Sequence, residues 1–300
     1  MREINLAKFV KGILALCLWL VGLQNCSLNS RQTKTLGDFS SQTVTVAKVG
    51  SKELVNMRQG VIAMNLSRIQ MSGQQDGMPW YDDLDEKFDV RVVAIRLKAL
   101  NTLLAYGSLL QALADTNPEK GINQATDRFI KQVKGLPKIQ RSINDAQLSA
   151  LAKAIQIIGI NYMEERKKKA IRSILEISKP QIDFLCDKLA DEFDHRKDGK
   201  LASQYLLTIN NLFFTADDFY FDNKDQTKKE QALQAIQLAN FHKERKNNYL
   251  LQISGAIHNL KKANAMLYKA FTQDSFDAKS LDDLVRNVQS LQEIQQILQK

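Results

Sequence analysis

Apolar residues return along most of this chain at intervals of three and four, the spacing that lines one face of an α-helix. No alternating β-branched run of any length competes with that reading. From about Phe39 to Met71, the residues Leu54, Met57, Val61, Met64 and Ile69 predict a first helix, with Thr43 to Val49 open to an extended alternative. Gly73 to Pro79 breaks the pattern. A second helix, from about Asp82 or Asp89 to Thr116, carries Val92, Val93, Ile95, Leu97, Leu100, Leu103, Leu104, Leu109, Leu110 and Leu113 and is expected to be the most buried element. Arg96, Lys98 and Asn101 interrupt it, which marks a core helix and not a membrane span. The acidic group Asp82, Asp83, Asp85, Glu86 and Asp89 falls at its start, where the helix dipole favours negative charge.

Asn117-Pro118 opens a shorter helix to about Val133, closed by Gly135 and Pro137. Ser142-x-x-Asp145 resembles a capping box, and the helix behind it has Leu148, Leu151, Ile155, Ile158 and Tyr162 at seam spacing. That helix is expected to stop at Glu164 to Lys169 and to resume at Ile171, Ile174 and Leu175. Pro180 suits the first turn of a new helix after Ser178, running to about Asp222 with a break at Arg196 to Lys200. Asp222 to Thr227 makes a turn. The longest helix follows, to about Thr272, with Leu250, Ile253, Ile257, Leu260, Asn264, Leu267 and Phe271 at strict spacing. Asn264 thus occupies a core position, where an Asn fixes register at a cost in stability, so Leu in its place is expected to raise stability. Ser280-x-x-Asp283 caps a last helix with the stripe Leu281, Leu284, Val288, Leu291, Ile294 and Leu298.

With only four prolines and a wealth of Leu, Ile, Ala, Gln, Lys and Asn, the chain reads as all-α, an elongated bundle of long antiparallel helices. The formal net charge of +9 makes anionic lipid or polysaccharide plausible contacts. Of three cysteines, Cys17 and Cys26 lie near the start and Cys186 sits among Phe184, Leu185 and Leu189, the setting of a buried, inert thiol.

The start of the chain supplies an address. Arg2, Lys8 and Lys11 precede an apolar stretch from Gly12 to Leu23, too short to span a membrane and patterned as an export signal. Leu23-Gln24-Asn25-Cys26 resembles the lipobox of bacterial lipoproteins, with Asn25 where a small residue is usual. The resemblance implies cleavage before Cys26, lipid on Cys26, and an envelope location in which Ser27, lacking a retention-like Asp, directs the expectation to the outer membrane. The expected layout is a signal peptide over 1–25, a lipidated polar tether over 26–37 and a helical bundle over 38–300. At that address nucleic acid is not an expected partner; the membrane, an envelope protein or an anionic surface is.

Motifs that carry chemistry are scarce. Glu192-x-x-His195 has the spacing of a carboxylate di-metal half-site, but neither His242 nor His258 has the matching Glu. Asp194-x-Arg196-x-Asp198-Gly199 has the outline of a calcium loop, yet Arg196 and Tyr205 stand where ligands are required. Phosphate loops and nucleophile elbows are missing, so no catalytic, cofactor or metal residue is assigned. Two surfaces remain. Phe213, Phe214, Phe219, Tyr220 and Phe221 exceed what one helical face buries and suggest an aromatic tip. Basic stretches at 166–169, 196–200 and 243–246 suggest an anion-attracting collar in which Lys197, Lys200, Lys243 and Lys246 converge. The expectation is a non-enzymatic envelope lipoprotein presenting a helical surface to a protein or anionic partner. Its rivals are a pore-forming helical protein, which would need an apolar hairpin of about 20 residues per arm, and an enzyme or ligand carrier with a pocket.

Overall fold

The computed structural model describes residues 30–72, 84–115, 119–137, 141–160, 164–273 and 279–297. Within them lie α1 (Ser30–Ser72), a single 3-10 turn (Glu86–Phe88), α2 (Val90–Ala114), α3 (Glu119–Gly135), α4 (Asp145–Ile160), α5 (Glu164–Phe193), α6 (Leu201–Asp222), α7 (Gln226–Thr272) and α8 (Lys279–Ile297), with no strand among the described residues. The all-α bundle read from periodicity is therefore the fold.

The 47-residue α7 is the spine, about 70 Å long at 1.5 Å per residue. Helices α1 and α5 lie antiparallel along it. Gln32 of α1 donates to the Ala270 carbonyl, and a Cβ on Gly60 of α1 would meet His242, so α1 runs down α7 over most of its length. Ser254 donates to the Ala190 carbonyl at 2.8 Å and Lys261 pairs with Asp187 at 2.6 Å, which fixes α5 antiparallel to the same helix. The predicted seam holds: Leu250, Ile253, Ile257, Leu260, Asn264, Leu267 and Phe271 are all buried. On α8 the same is true of Leu281, Leu284, Val288 and Leu291. Ile294 of that stripe packs against the core half-buried, and Leu298 lies outside the described residues.

Helix α2 packs antiparallel on α1 through Leu100, Leu103, Tyr106, Leu109, Leu110 and Leu113. Asp89 caps it by accepting from the Arg91 amide at 2.7 Å, while Asp85 is drawn to Arg58 of α1 at 2.7 Å. Two members of the acidic cluster are thereby spent on a cap and an ion pair; Asp82, Asp83 and the side chain of Glu86 lie outside the described residues. By length and composition alone α2 could cross a membrane, but half of its apolar window is buried inside the bundle.

Several boundaries differ from expectation. The polar tether expected over 26–37 is helical from Ser30, because Gln32, Thr35, Leu36 and Phe39 share a face that buries against the end of α7. Thr43 to Val49 is helical too. No break falls at 164–169, and Pro180 does not start a helix: α5 is continuous from Glu164 to Phe193 with Pro180 inside it. Pro in a helix interior costs about 3 kcal/mol. Burial of Ile171, Ile174, Leu175, Ile182, Leu185 and Leu189 outweighs that, each worth about 1.5–3 kcal/mol relative to exposure. The reciprocal cap of α4 is Asn144-x-x-Gln147, with both bonds at 2.9 Å, instead of Ser142-x-x-Asp145. Ser142 uses its amide on Gln181 of α5, and Asn with Gln at the third position satisfies the free helix donors better than Ser with Asp. Ser280 lies inside α8, whose first helical residue is Lys279. In the α4 seam Leu148 and Leu151 are buried, while the side chains of Ile155, Ile158 and Tyr162 lie outside the described residues.

Candidate interaction surface

Helices α6 and α7 form a hairpin that carries the aromatic segment and, on α7 and in the turn before α6, part of the expected basic collar. Its base is a turn in which Asp194 accepts from the amide of Arg196 at 3.0 Å and from its guanidinium at 2.8 Å, while Gly199 takes the left-handed φ of 72° that an L side chain resists. The Arg196 side chain holds the Asp194 carboxyl down at about 2. Its tip is closed by Asp225, whose carboxylate accepts from the amides of Thr227 and Lys228 to start α7. Between them the two helices meet through Leu212 and Ala216 on one side and Ala232, Ala235 and Ala239 on the other, all buried. Alanine at the contact lets the helices approach closely and leaves little apolar area for the outer faces to share.

Nearer the base, Tyr205 of α6 and His242 of α7 are hydrogen-bonded at 2.7 Å, and both press on Gly60 of α1. A Cβ at residue 60 would lie 2.7 Å from the Tyr205 oxygen, so glycine is what allows three helices to meet there. This contact also sets the level of the hairpin, with Tyr205 opposite His242.

The aromatic set divides. Phe213, Phe219 and Tyr220 are half-buried and pack against the core, with the Lys229 ammonium 5.0 Å from the Tyr220 ring centre. Phe214 and Phe221 point outward at 63% and 74% exposure, each set edge-to-face on its sequence neighbour. Reasoning confined to the crowded segment missed their companion: Leu207 is 51% exposed and lies seven residues before Phe214, as Phe221 lies seven after. Three large apolar side chains at a spacing of seven fall within about 40° of one another around a helix. The opposite face of α6 is the buried one, formed by Ala202, Tyr205, Ile209, Leu212 and Ala216. The signal was present in the spacing.

Three of the four lysines of the expected basic collar have described side chains. Lys197 is exposed and Lys200 half-buried at the hairpin base, but the Lys243 ammonium lies 6.0 Å from the ring centre of Phe213. Phe213 is about two turns closer to the tip than Tyr205, so Lys243 reaches away from Lys200, drawn to the face of an aromatic ring. The side chain of Lys246 lies outside the described residues. Within the stretch at 166–169, Lys167 is buried and donates to the Asp115 carbonyl at the end of α2 at 3.0 Å, while Lys169 is exposed.

Residues considered for chemistry have structural work. Glu192 accepts from Arg96 at 2.7 Å and from the Leu201 amide at 3.2 Å, tying α2, α5 and α6 together. No group of three His, Cys, Asp or Glu among the described residues is placed to hold a metal. A groove of about 390 Å³ between α2 and α5 is floored by Ile95, Ala99, Phe184, Leu185 and Leu189. Its polar end is occupied by the Arg96–Glu192 pair, and Lys188 lies over the Phe184 ring at 5.8 Å. Cys26, the expected lipid-bearing residue, lies outside the described residues. No family model, curated protein or solved structure matches the chain.

Proposed function

We propose that this protein is a non-enzymatic envelope lipoprotein, held to a membrane through Cys26, whose α6–α7 hairpin presents an apolar helical row to a protein partner. The observation that carries the reading is the row Leu207, Phe214 and Phe221 on the outward face of α6. The bundle buries most of its described Leu and Phe yet leaves three of them in line on one helix, and exposed apolar patches rimmed by polar residues mark interaction sites. The pattern suits helix recognition, in which anchors one or two turns apart fill a partner's surface. The address is supported by the signal-like start and by the lipobox-like Leu23 to Cys26.

The test joins the two parts. Tagged native protein, cross-linked in its own cells, should retain a protein partner that Phe214→Asp loses while remaining folded and membrane-bound. Cys26→Ser should abolish fatty-acid labelling and leave the precursor uncleaved. Retention of every partner by Phe214→Asp would overturn the docking face, and normal labelling of Cys26→Ser would overturn the address.

A further inference from the structure

We infer that the partner of the α6 face is a second copy of the same chain, docked antiparallel so that a two-fold axis passes at Phe214. The inference rests on the reading of α6 as a docking face and names its occupant. It is carried by the self-complementarity of the surface, which is what a two-fold contact demands.

With the axis at Phe214, the two Phe214 rings meet each other, and Leu207 of each copy meets Phe221 of the other, because each stands seven residues from the centre. The rows beside this line obey the same symmetry. Asn210 and Asp217 flank it on one side, Asn211 and Asp218 on the other, again seven apart. A two-fold perpendicular to the helices keeps each side on its own side. Asp217 therefore faces Asn210 of the other copy, and Asp218 faces Asn211, each one residue, or about 1.5 Å, from level. Each carboxylate meets a side-chain amide that can donate to it. Further out, Asp222 comes level with residue 206 of the other copy, about 3 Å short of Gln204 and about 9 Å short of Lys200. No carboxylate of this face is set against another, whereas a parallel pairing, whose two-fold exchanges the sides of the row, would bring Asp217 of each copy to Asp218 of the other.

The same charges argue against a lipid surface. Asp217, Asp218 and Asp222 line the apolar row, so an anionic bilayer would be repelled where the row would have to insert. Leu233 and Phe241, the exposed apolar residues of α7, are eight apart, which turns them about 80° from each other and makes no continuous row.

A face of 22 residues is about 33 Å long, and a strip about 10 Å wide on each copy gives roughly 700 Å² in all. That is the size of a transient contact, so dissociation at micromolar concentrations is expected. Two copies tethered to one membrane would meet at a higher effective concentration.

The experiment uses the full chain in detergent. Sedimentation from about 10 μM to about 1 mM should show a monomer–dimer equilibrium, and Phe214→Asp, which sets two carboxylates against each other on the axis, should weaken it at least tenfold with its helical signal unchanged. Oxidation then reads the register. Phe214→Cys alone should cross-link to itself, while Leu207→Cys and Phe221→Cys should cross-link when mixed and not separately, the unsubstituted chain serving as control for its own cysteines. A monomer across the whole range, or cross-linking of Leu207→Cys alone as efficient as in the mixture, would overturn the second copy. If such a monomer bound phosphatidylglycerol vesicles through Phe214, the occupant would be lipid instead. If it lost a different captured protein on Phe214→Asp, the docking face would stand and the second copy would fall.

Discussion

Tyr106 of α2 donates its phenolic hydrogen to the side-chain oxygen of Asn264 on α7 at 2.8 Å, and both residues are buried. The pair joins the most apolar helix to the spine through a polar bond, with the Asn264 amide turned toward Asp183 of α5 at 3.5 Å. The sequence marks Asn264 as a polar residue in an apolar seam but does not reveal its partner, 158 positions away.

The partner reverses the expected effect of Leu at this position. In a seam without one, Asn264→Leu would stabilise; here it takes the Asn264 acceptor from a buried phenol and leaves it only the Ser178 hydroxyl, at about 1–3 kcal/mol. Asn264→Leu should lower stability by about 1 kcal/mol in denaturant titration. Tyr106→Phe combined with Asn264→Leu should recover most of the loss, since both polar partners are then gone. A higher melting temperature for Asn264→Leu alone would return Asn264 to the role of an unsupported register residue.

Gly60 makes a second cross-helix prediction. Alanine there gains up to about 1 kcal/mol of helix propensity, but its Cβ would lie 2.7 Å from the Tyr205 oxygen. Overpacking of that kind costs about 1–3 kcal/mol, so Gly60→Ala should destabilise on balance. Tyr205→Phe in the same chain removes the clashing atom, and the double variant should be more stable than the sum of the two single losses. Strict additivity would mean that the helices separate freely at this crossing.

Periodicity made the bundle legible because seams such as Leu250 to Phe271 and Leu281 to Leu291 repeat without interruption, and burial follows the repeat. It failed where tertiary contact outweighs a local signal. Pro180 is a helix starter by local rules, yet it sits mid-helix because the apolar face of α5 continues on both sides of it. Lys167 reads as solvated charge until the end of α2 supplies a carbonyl for it. The aromatic segment is plain as a cluster, but only packing decides which rings turn inward, and the row with Leu207 emerges once Phe213, Phe219 and Tyr220 are set aside. Capping at Asn144 was readable and was masked by a similar pattern two residues earlier.

Asp194 predicts a pH dependence. Bonds from the Arg196 side chain and amide lower its carboxyl from the ordinary 3.8 to about 2 in the folded chain. A depressed carboxylate contributes stability that is fully present above the unfolded value and is lost as pH falls through the folded one. Asp194→Asn keeps an acceptor for the Arg196 amide and removes the charge, so it should cost about 0.5–1 kcal/mol at neutral pH, discounted because Arg196 is largely exposed. The difference between the two proteins should shrink from about pH 4 downward and vanish only below about pH 2. A gap that stays constant through that window would assign the loss to the turn geometry alone.

Cys186 closes the set. Its thiol is fully buried beneath α7, and burial, reinforced by Asp183 and Asp187 and opposed by Lys261, pushes its pKa far above the ordinary thiol range. Thiolate is the reactive form, so folded protein should present almost none of it at neutral or mildly alkaline pH. Labelling with a maleimide followed by peptide mapping should find Cys186 unmodified in the native chain and modified in denaturant. Its rate of modification across a denaturant series should follow global unfolding, because α5 and α7 must separate along the Ser254–Ala190 and Lys261–Asp187 contacts before reagent can enter. Modification at low denaturant, well before the helical signal is lost, would show instead that α5 opens locally while the rest of the bundle stays folded.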